Sequence, residues 1–187
     1  SNCIDEDYMQ ILKEKTVAAL NNAFSALAPA EMYTTTTECT TLAFNRRFVM
    51  KNGKVLTNPG KLNPDIDHPE GGVDHSILLM EIRQNDLPVL LMANISNHTD
   101  TIGGDIVSAD WFGRMEREIQ YQLGEDVPVL TLTDASGDIN HFDVTTMRDQ
   151  TNYNEAIRIG RGYGKIVTDL LKKLQRLLYI LWLTMHR

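Results

Sequence analysis

The chain has 187 residues, of which 42% are hydrophobic and 23% charged, a composition typical of one globular domain with a sizeable core. Its 25 acidic and 18 basic residues give a net charge of −7, and the basic residues are scattered along the sequence. This pattern argues against nucleic acid as the main partner, because phosphate backbones attract a concentrated basic face. Two cysteines, Cys3 and Cys39, are too few for a disulfide framework or a cysteine-based zinc site.

The two ends of the sequence differ from the rest. Ser1-Asn2 resembles the remnant of a cleaved purification tag, so we expect the native N-terminus and any export signal to lie upstream. The apolar run at residues 177–185 is much shorter than the ~20 residues that cross a bilayer. We therefore predict no transmembrane segment, and we expect this run to be a buried helix end.

The first part of the chain predicts one helix and several extended segments. The spacing of apolar residues predicts a helix with one apolar face over residues 5–27, ended by Pro29. The threonine-rich residues 33–41 predict extended chain. Asn52-Gly53 predicts a hairpin turn, because both residues tolerate positive φ. Residues 58–72 are rich in proline and glycine and predict a long loop.

The centre of the chain predicts a mixed sheet. Two apolar runs, residues 76–82 and 89–95, are separated by a turn and predict an antiparallel pair buried on both faces. Ser108 predicts the N-cap of a helix that ends at Gly124. A further strand follows at residues 127–132. The order strand, helix, strand implies parallel pairing through a right-handed crossover.

The last part predicts helix from residue 153 to about residue 185, interrupted or started afresh at the glycine-rich residues 160–164. These glycines follow no predicted strand and lack the dinucleotide-binding spacing, so we reject a Rossmann site. The sequence contains no internal repeat and no linker of the kind that separates domains. We therefore predict a single α/β domain over residues 1–187, with a mixed β-sheet flanked by helices.

Two polar loops are predicted to meet at one edge of this sheet. Residues 94–100 follow one strand and residues 134–141 follow the next, and each loop carries a histidine and carboxylates. Because parallel strands end at the same edge, their loops share a crevice there. His98 and Asp138 are candidates for metal ligands, or for a base and its orienting group. On pattern alone an alternative stays open, in which both side chains satisfy backbone groups of the loops.

Four segments resemble the neutral/alkaline ceramidase family, and they occur in the family's order. They are Phe44-Asn45-Arg46-Arg47, similar to its Asn-Arg motif; Pro69-Glu70-Gly71-Gly72-Val73-Asp74, similar to its Pro-Glu-Gly-x-Val-Asp stretch; residues 94–113, with a histidine after a strand and a Ser-x-Asp-x-x-Gly helix start; and residues 135–140, similar to its Gly-Asp-x-Ser loop. Each match alone is short, and the resemblance extends from Tyr8 to about Gly164, which is most of the chain.

The resemblance implies that this chain is the central part of a larger zinc-hydrolase domain, inactive alone, that cleaves amide bonds in N-acyl and possibly lipid substrates. It implies one zinc ion with His98 as a ligand. The other ligands, an upstream His-x-His motif and a downstream glutamate and tyrosine, would lie outside this chain. Arg46 would contact the substrate near the metal, and Asn140 would stand where the family has a serine near the zinc-bound water. The resemblance also suggests a secreted or cell-envelope protein.

Asn140 is the main departure from the family pattern, because an amide cannot act as a nucleophile or exchange a proton. A non-catalytic family member that binds a ligand or has a structural role therefore stays open, as does a homo-oligomer formed through the apolar C-terminal helix. For Arg46 the alternative is a structural ion pair. His68 and His75 are expected at the surface, and His141 is expected either to support the site or to lie at the surface.

Overall fold

The computed structural model describes residues 4–176, and the chain divides into two compact units. The first unit, Ser1–Ala30, consists of helix α1, Glu6–Ser25. Asp5 caps this helix by accepting a hydrogen bond from the Tyr8 amide at 2.9 Å. The predicted helix is confirmed, but none of its residues is buried, so the predicted apolar face is exposed.

The second unit, Glu31–Arg187, contains a five-stranded mixed sheet. In sheet order its strands are β10 (Gln175–Arg176), β1 (Glu31–Glu38), β6 (Ser76–Gln84), β7 (Leu87–Ile95) and β8 (Val129–Thr133). The pairs are antiparallel except for β7 and β8, which are parallel. The predicted mixed sheet and its parallel pair are confirmed.

One face of this sheet holds the hydrophobic core, beneath helices α2 (Asp110–Leu123) and α3 (Tyr153–Leu171). Along β6, Ile77 and Leu79 are buried whereas Leu78 is 43% exposed. The prediction that this pair is buried on both faces is therefore wrong. An antiparallel pair covered by helices on one side alternates between buried and exposed side chains instead.

Helix α2 begins later than its predicted cap. Ala109 occupies the N-cap position without a side-chain hydrogen bond, while the Ser108 hydroxyl accepts from the Asp110 amide at 3.0 Å. The end of α2 is as predicted, with Gly124 in the left-handed conformation at φ 67°. Glycine adopts this conformation at lower cost than other residues, which is why it ends helices so often.

Helix α3 runs without interruption through its three glycines, so the predicted break is wrong. A Cβ atom at Gly160 would lie 2.7 Å from the Trp111 carbonyl and 2.8 Å from the Met115 amide. The glycine therefore allows α3 to approach α2 closely, and it does not end the helix. The helix ends at Leu171, before the predicted residue 185, and residues 177–185 lie outside the described residues.

Two small sheets complete the second unit. In the three-stranded sheet β4-β3-β5, the strands are β4 (Val55–Thr57), β3 (Arg47–Met50) and β5 (Ile66–Pro69). The hairpin β3–β4 confirms the Asn52-Gly53 turn, and β5 lies within residues 58–72, which were predicted to be loop. The other sheet pairs β2 (Phe44–Asn45) with β9 (Ile139–Asn140). Within residues 4–176, no helix combines the length and apolar character that would let it span a membrane.

Candidate active site

The loops that follow β7 and β8 meet at one edge of the main sheet, as the sequence predicts. The Asn94 side-chain amide donates to the Asp134 carboxylate at 2.7 Å, and the Asp134 backbone amide donates to the Ile95 carbonyl at 3.3 Å. The parallel register pairs Ile95 with Thr133, so both strands end together. Polar side chains from two distant parts of the sequence are thereby brought to one place.

The pairing of β2 with β9 brings a third segment next to the two loops. Phe44 lies opposite Asn140 and Asn45 opposite Ile139. The Arg46 backbone amide extends this contact by donating to the Asp138 carbonyl at 2.7 Å. The Asn-Arg segment and the loop that carries Asn140 are therefore neighbours, although about 90 residues of sequence separate them.

A polar network centred on Asp100 connects the two loops. The Asp100 carboxylate contacts Nδ1 of His141 at 2.7 Å, and Nε2 of this ring contacts the Gln150 carbonyl at 2.7 Å. These two contacts fix the orientation of the His141 ring between the carboxylate and the carbonyl. The Asn140 amide donates to Asn58 at 3.3 Å and to Asp100 at 3.5 Å. His141 and Asn140 are almost completely buried.

Asp100 keeps a negative charge within this network. Burial by itself would raise the pKa of Asp100, but the hydrogen bond and charge of His141 oppose this and lower the pKa below the ordinary aspartate value. The charge of His98 and the hydrogen bond from Asn140 act in the same direction. The Asp100 side chain is still 39% exposed, so an ionised carboxylate faces the accessible side of the network.

The segment 96–98 contains buried side-chain atoms that have no hydrogen-bond partner within the described residues: Ser96 Oγ, Asn97 Oδ1 and His98 Nδ1, of which the His98 nitrogen is the one that metal ions favour. The His98 backbone is nevertheless anchored, since its carbonyl accepts from the Trp111 indole nitrogen at 2.8 Å. Most buried polar groups in folded proteins are paired, so an unpaired imidazole nitrogen requires an explanation, and a ligand is one.

Asp110, within the Ser-x-Asp-x-x-Gly segment, holds the loop that carries His98. Its carboxylate accepts from the amides of Thr101 at 3.0 Å, Ile102 at 2.9 Å and Trp111 at 2.6 Å, and also from the Thr101 hydroxyl. Asp110 is buried and has a positive φ of 51°, which is costly for a residue with a side chain. These hydrogen bonds offset that cost, and they fix the start of α2 relative to the loop.

Arg46 contacts the neighbouring loop instead of an acidic residue. Its guanidinium donates two hydrogen bonds to the Gly137 carbonyl, at 3.1 Å from Nε and 2.8 Å from Nη2. Next to it, the Asn45 amide donates to the Gly71 carbonyl at 3.0 Å and to the Asp138 carboxylate at 3.4 Å. Asn45 is buried, and its motif in the sequence predicts no separate role for it. Both side chains position the loop before Asn140, and the substrate contact expected of Arg46 stays a prediction.

The sequence and the structure differ on which residues accompany His98. Asp138 was its expected partner, but Asp138 contacts Asn45, and Asp100 lies in the network near His98 instead. His141 is buried and central, which the sequence left undecided, because its partner Asp100 is 41 residues away. His68 is exposed as expected, whereas Nδ1 of His75 is buried.

The described residues meet only part of the requirement for zinc. His98 offers a buried and unpaired nitrogen, which is a donor that zinc favours. Within residues 4–176, however, no group of three or more His, Cys, Asp or Glu side chains is arranged to hold a metal ion. The nitrogen of His98 is therefore of the donor type that zinc favours, and its role as a metal ligand stays a prediction.

The architecture is a mixed α/β fold that resembles part of neutral ceramidase. The crystal structure of neutral ceramidase from Pseudomonas aeruginosa matches with a TM-score of 0.59 and 13% identity, over 88% of this chain and 26% of that chain. A ceramidase complexed with C2 matches with a TM-score of 0.59 and 12% identity, over 86% and 25%. The chain therefore spans about a quarter of the length of these proteins.

The resemblance seen in the sequence motifs is thus confirmed as a likeness of fold. Neither a protein-family model nor a curated protein matches the sequence. A fold hosts many activities, so function has to be argued from the residues of the site.

Proposed function

We propose that this chain forms one wall of the active site of a zinc-dependent hydrolase that cleaves amide bonds in N-acyl substrates. The observation that supports the proposal is the buried, unpaired Nδ1 of His98, in an anchored loop beside an ionised carboxylate. The likeness to neutral ceramidase supports the same class of reaction. When bound, zinc supplies a Lewis acid for the scissile carbonyl and an activated water nucleophile.

Asn140 orients the reacting groups in this proposal. Its Oδ1 is engaged by the Phe142 amide at 3.0 Å, which fixes the rotation of the side-chain amide. Its Nδ2 makes only long contacts, at 3.3 and 3.5 Å, and can exchange them for a shorter hydrogen bond to the substrate carbonyl. An amide donor aimed at the oxygen where charge develops is the usual form of electrostatic stabilisation in acyl transfer.

Asp100 accepts hydrogen bonds in this proposal and does not act as an acid. Its lowered pKa keeps it ionised at neutral pH, so it can orient a water molecule or the N–H of the substrate. One carboxylate oxygen is held by His141, and the other makes only the long contact to Asn140. His141 therefore holds the carboxylate in place, and Arg46 holds the loop that carries Asn140.

The zinc content of the longest natural polypeptide that carries this sequence tests the proposal. We expect about one zinc per chain by elemental analysis, with hydrolysis of an N-acyl amide, and loss of both in His98→Ala. His68→Ala is the matched control, since His68 is 58% exposed and pairs with Asp67. A folded wild-type protein that contains no zinc and cleaves no amide would contradict the proposal.

A second candidate function is binding without catalysis. It is favoured by the amide of Asn140 at the position where the resemblance implies a serine, because an amide cannot act as a nucleophile or exchange a proton. In that case an N-acyl amide would bind, with an affinity reduced by Asn140→Ala, and would be recovered uncleaved. Calorimetry together with mass spectrometry of the recovered ligand distinguishes this function from hydrolysis.

A further inference from the structure

A groove with a cavity volume of about 500 Å³ lies between helices α2 and α3, away from the residues of the candidate active site. Four basic side chains line it: Arg114 and Arg117 from α2, and Arg161 and Lys165 from α3. The basic residues look scattered in the sequence, but the packing of the two helices gathers these four. This gathering contrasts with the net charge of −7 for the whole chain.

The positive charge of this basic groove is poorly compensated. Arg114, Arg117 and Lys165 make no hydrogen bond or ion pair through their side chains with any residue in 4–176. Arg161 has only a long contact, 3.6 Å from Nε to the Glu118 carboxylate, and its side chain is 66% exposed. Glu118 is the single carboxylate in the lining. Its other oxygen is occupied by the Gln122 side-chain amide at 2.8 Å.

The close approach of the helices brings these like charges together. A Cβ atom at Gly160 would lie 2.7 Å from the Trp111 carbonyl, and one at Gly164 would lie 2.7 Å from Cβ of Glu118. On each helix the cations are three or four residues apart, so they also neighbour each other along the helix surface. Within the described part of the protein, Glu118 is the single lining carboxylate that offsets their mutual repulsion. A bound anion would relieve it.

We propose that the basic groove binds a small phosphate-bearing ligand with at least two anionic groups. Three guanidinium groups suit this chemistry, because the planar fork of arginine matches the oxygens of phosphate. The cavity has the size of a small-molecule site and not of a macromolecular interface. Tyr121, 80% exposed at the groove, offers an aromatic face to the organic part of such a ligand.

Calorimetric titration of the full chain with inorganic tripolyphosphate and with orthophosphate tests this proposal. We expect saturable binding of tripolyphosphate with one site, and weaker binding of orthophosphate, because a single phosphate engages fewer of the cations. The double variant Arg117→Gln/Lys165→Gln should bind tripolyphosphate at least about tenfold more weakly. Wild-type protein that shows no saturable binding would overturn the proposal.

The matched control is Lys51→Gln/Lys54→Gln, which removes the same charge from two exposed lysines of the β3–β4 hairpin. This control should retain wild-type affinity for tripolyphosphate. An equal loss of affinity in both double variants would mean that net charge alone attracts the anion, and would overturn the proposal. A further arm uses vesicles that contain an anionic phospholipid. Binding to vesicles that is lost in the groove variant but is not displaced by tripolyphosphate would assign the groove to a membrane surface and would also overturn the proposal.

Both double variants should remain folded, because all four residues are exposed. The groove variant should also have a higher melting temperature than wild type when no anion is present, since it removes uncompensated repulsion. A lower melting temperature would instead indicate that these side chains serve the packing of the helices, and would count against a ligand site.

Discussion

The candidate active site and the basic groove are both polar. Only in the candidate active site do the polar side chains named above mostly have hydrogen-bond partners within the protein. Asp100, Asn140 and His141 each have hydrogen-bond partners, whereas Arg117 and Lys165 have none among the described residues. A buried polar group left unpaired costs about 1–3 kcal/mol, whereas an exposed charge keeps its water. Burial therefore decides where the fold has to supply partners, and a buried exception such as Nδ1 of His98 marks a place of functional interest.

The strongest test of this difference is Asp110→Ala, which removes a buried and fully engaged carboxylate. Three backbone amides and the Thr101 hydroxyl would lose their acceptor. We expect the free energy of unfolding to fall by about 3 kcal/mol, because several buried donors are left unpaired. Urea denaturation followed by circular dichroism measures this change.

Asp105→Ala is the control for this variant, because Asp105 is exposed in the loop just before α2. Its effect on the free energy of unfolding should stay within about 0.5 kcal/mol. Equal and small effects of the two variants would show that Asp110 does not hold the His98 loop.

A smaller effect is expected from Gly160→Ala, which tests the helix approach that creates the basic groove. Alanine gains about 1 kcal/mol of helix propensity over glycine, but the new methyl group would overlap the Trp111 carbonyl and the Met115 amide. Overpacking of this kind costs about 1–3 kcal/mol, so we expect net destabilisation together with weaker tripolyphosphate binding. Denaturation and calorimetry measure the two effects.

Gly162→Ala is the control for Gly160→Ala. It also replaces a glycine of α3, but at a position that does not face the backbone of α2. A Cβ atom there would meet the end of the Leu42 side chain at 2.7 Å, and this side chain can rotate away. Gly162→Ala should therefore destabilise less than Gly160→Ala and should leave tripolyphosphate binding unchanged. A larger effect at Gly162 would contradict the packing explanation.

The smallest effect on the free energy of unfolding is expected from Arg47→Gln. This substitution breaks the exposed ion pair between Arg47 and Glu70. The hydrogen bond from Arg47 lowers the pKa of Glu70, and this pair joins β3 to the end of β5. A lowered pKa means that the pair stabilises the fold above the ordinary glutamate pKa of about 4.3, and that this stability is lost as the pH falls through the folded value. In the variant, the pKa of Glu70 should return toward the ordinary value.

NMR titration of the Glu70 carboxyl measures this shift, and Lys51→Gln should leave it unchanged. The free energy of unfolding at neutral pH should change little, because exposed ion pairs contribute little. A large loss of stability would show that a charged side chain needs a partner even where it is exposed to water. The difference drawn between the candidate active site and the basic groove would then not hold.

The parts of the fold that sequence predicted are those specified by neighbouring residues. Asn52-Gly53 specified the hairpin and Gly124 the end of α2, because each needs only a local backbone conformation. The apolar runs predicted β6 and β7, but not that only one face is covered, since burial depends on helices elsewhere in the sequence. In the same way, the glycines of α3 read as a break because their contacts lie on α2.

The candidate site was only partly predictable for the same reason. The two loops after the parallel strands were expected to meet, and they do. That Asp100 binds His141, or that Asn45 binds the Asp138 carboxylate, depends on residues 41 and 93 positions apart. No local pattern specifies such pairs. The catalytic and metal-binding roles of Arg46, Asn140 and His98 stay predictions, and the variants of Asn140 and His98 described above test two of them.

The short pairing of β2 with β9 has a consequence for how the protein folds. Only two residues on each strand form this sheet, yet it closes a segment of more than 90 residues. Closing so long a segment costs chain entropy that two backbone pairs repay poorly, whereas β6, β7 and α2 are joined by short connections. We therefore expect the main sheet and its helices to assemble first and the candidate site last.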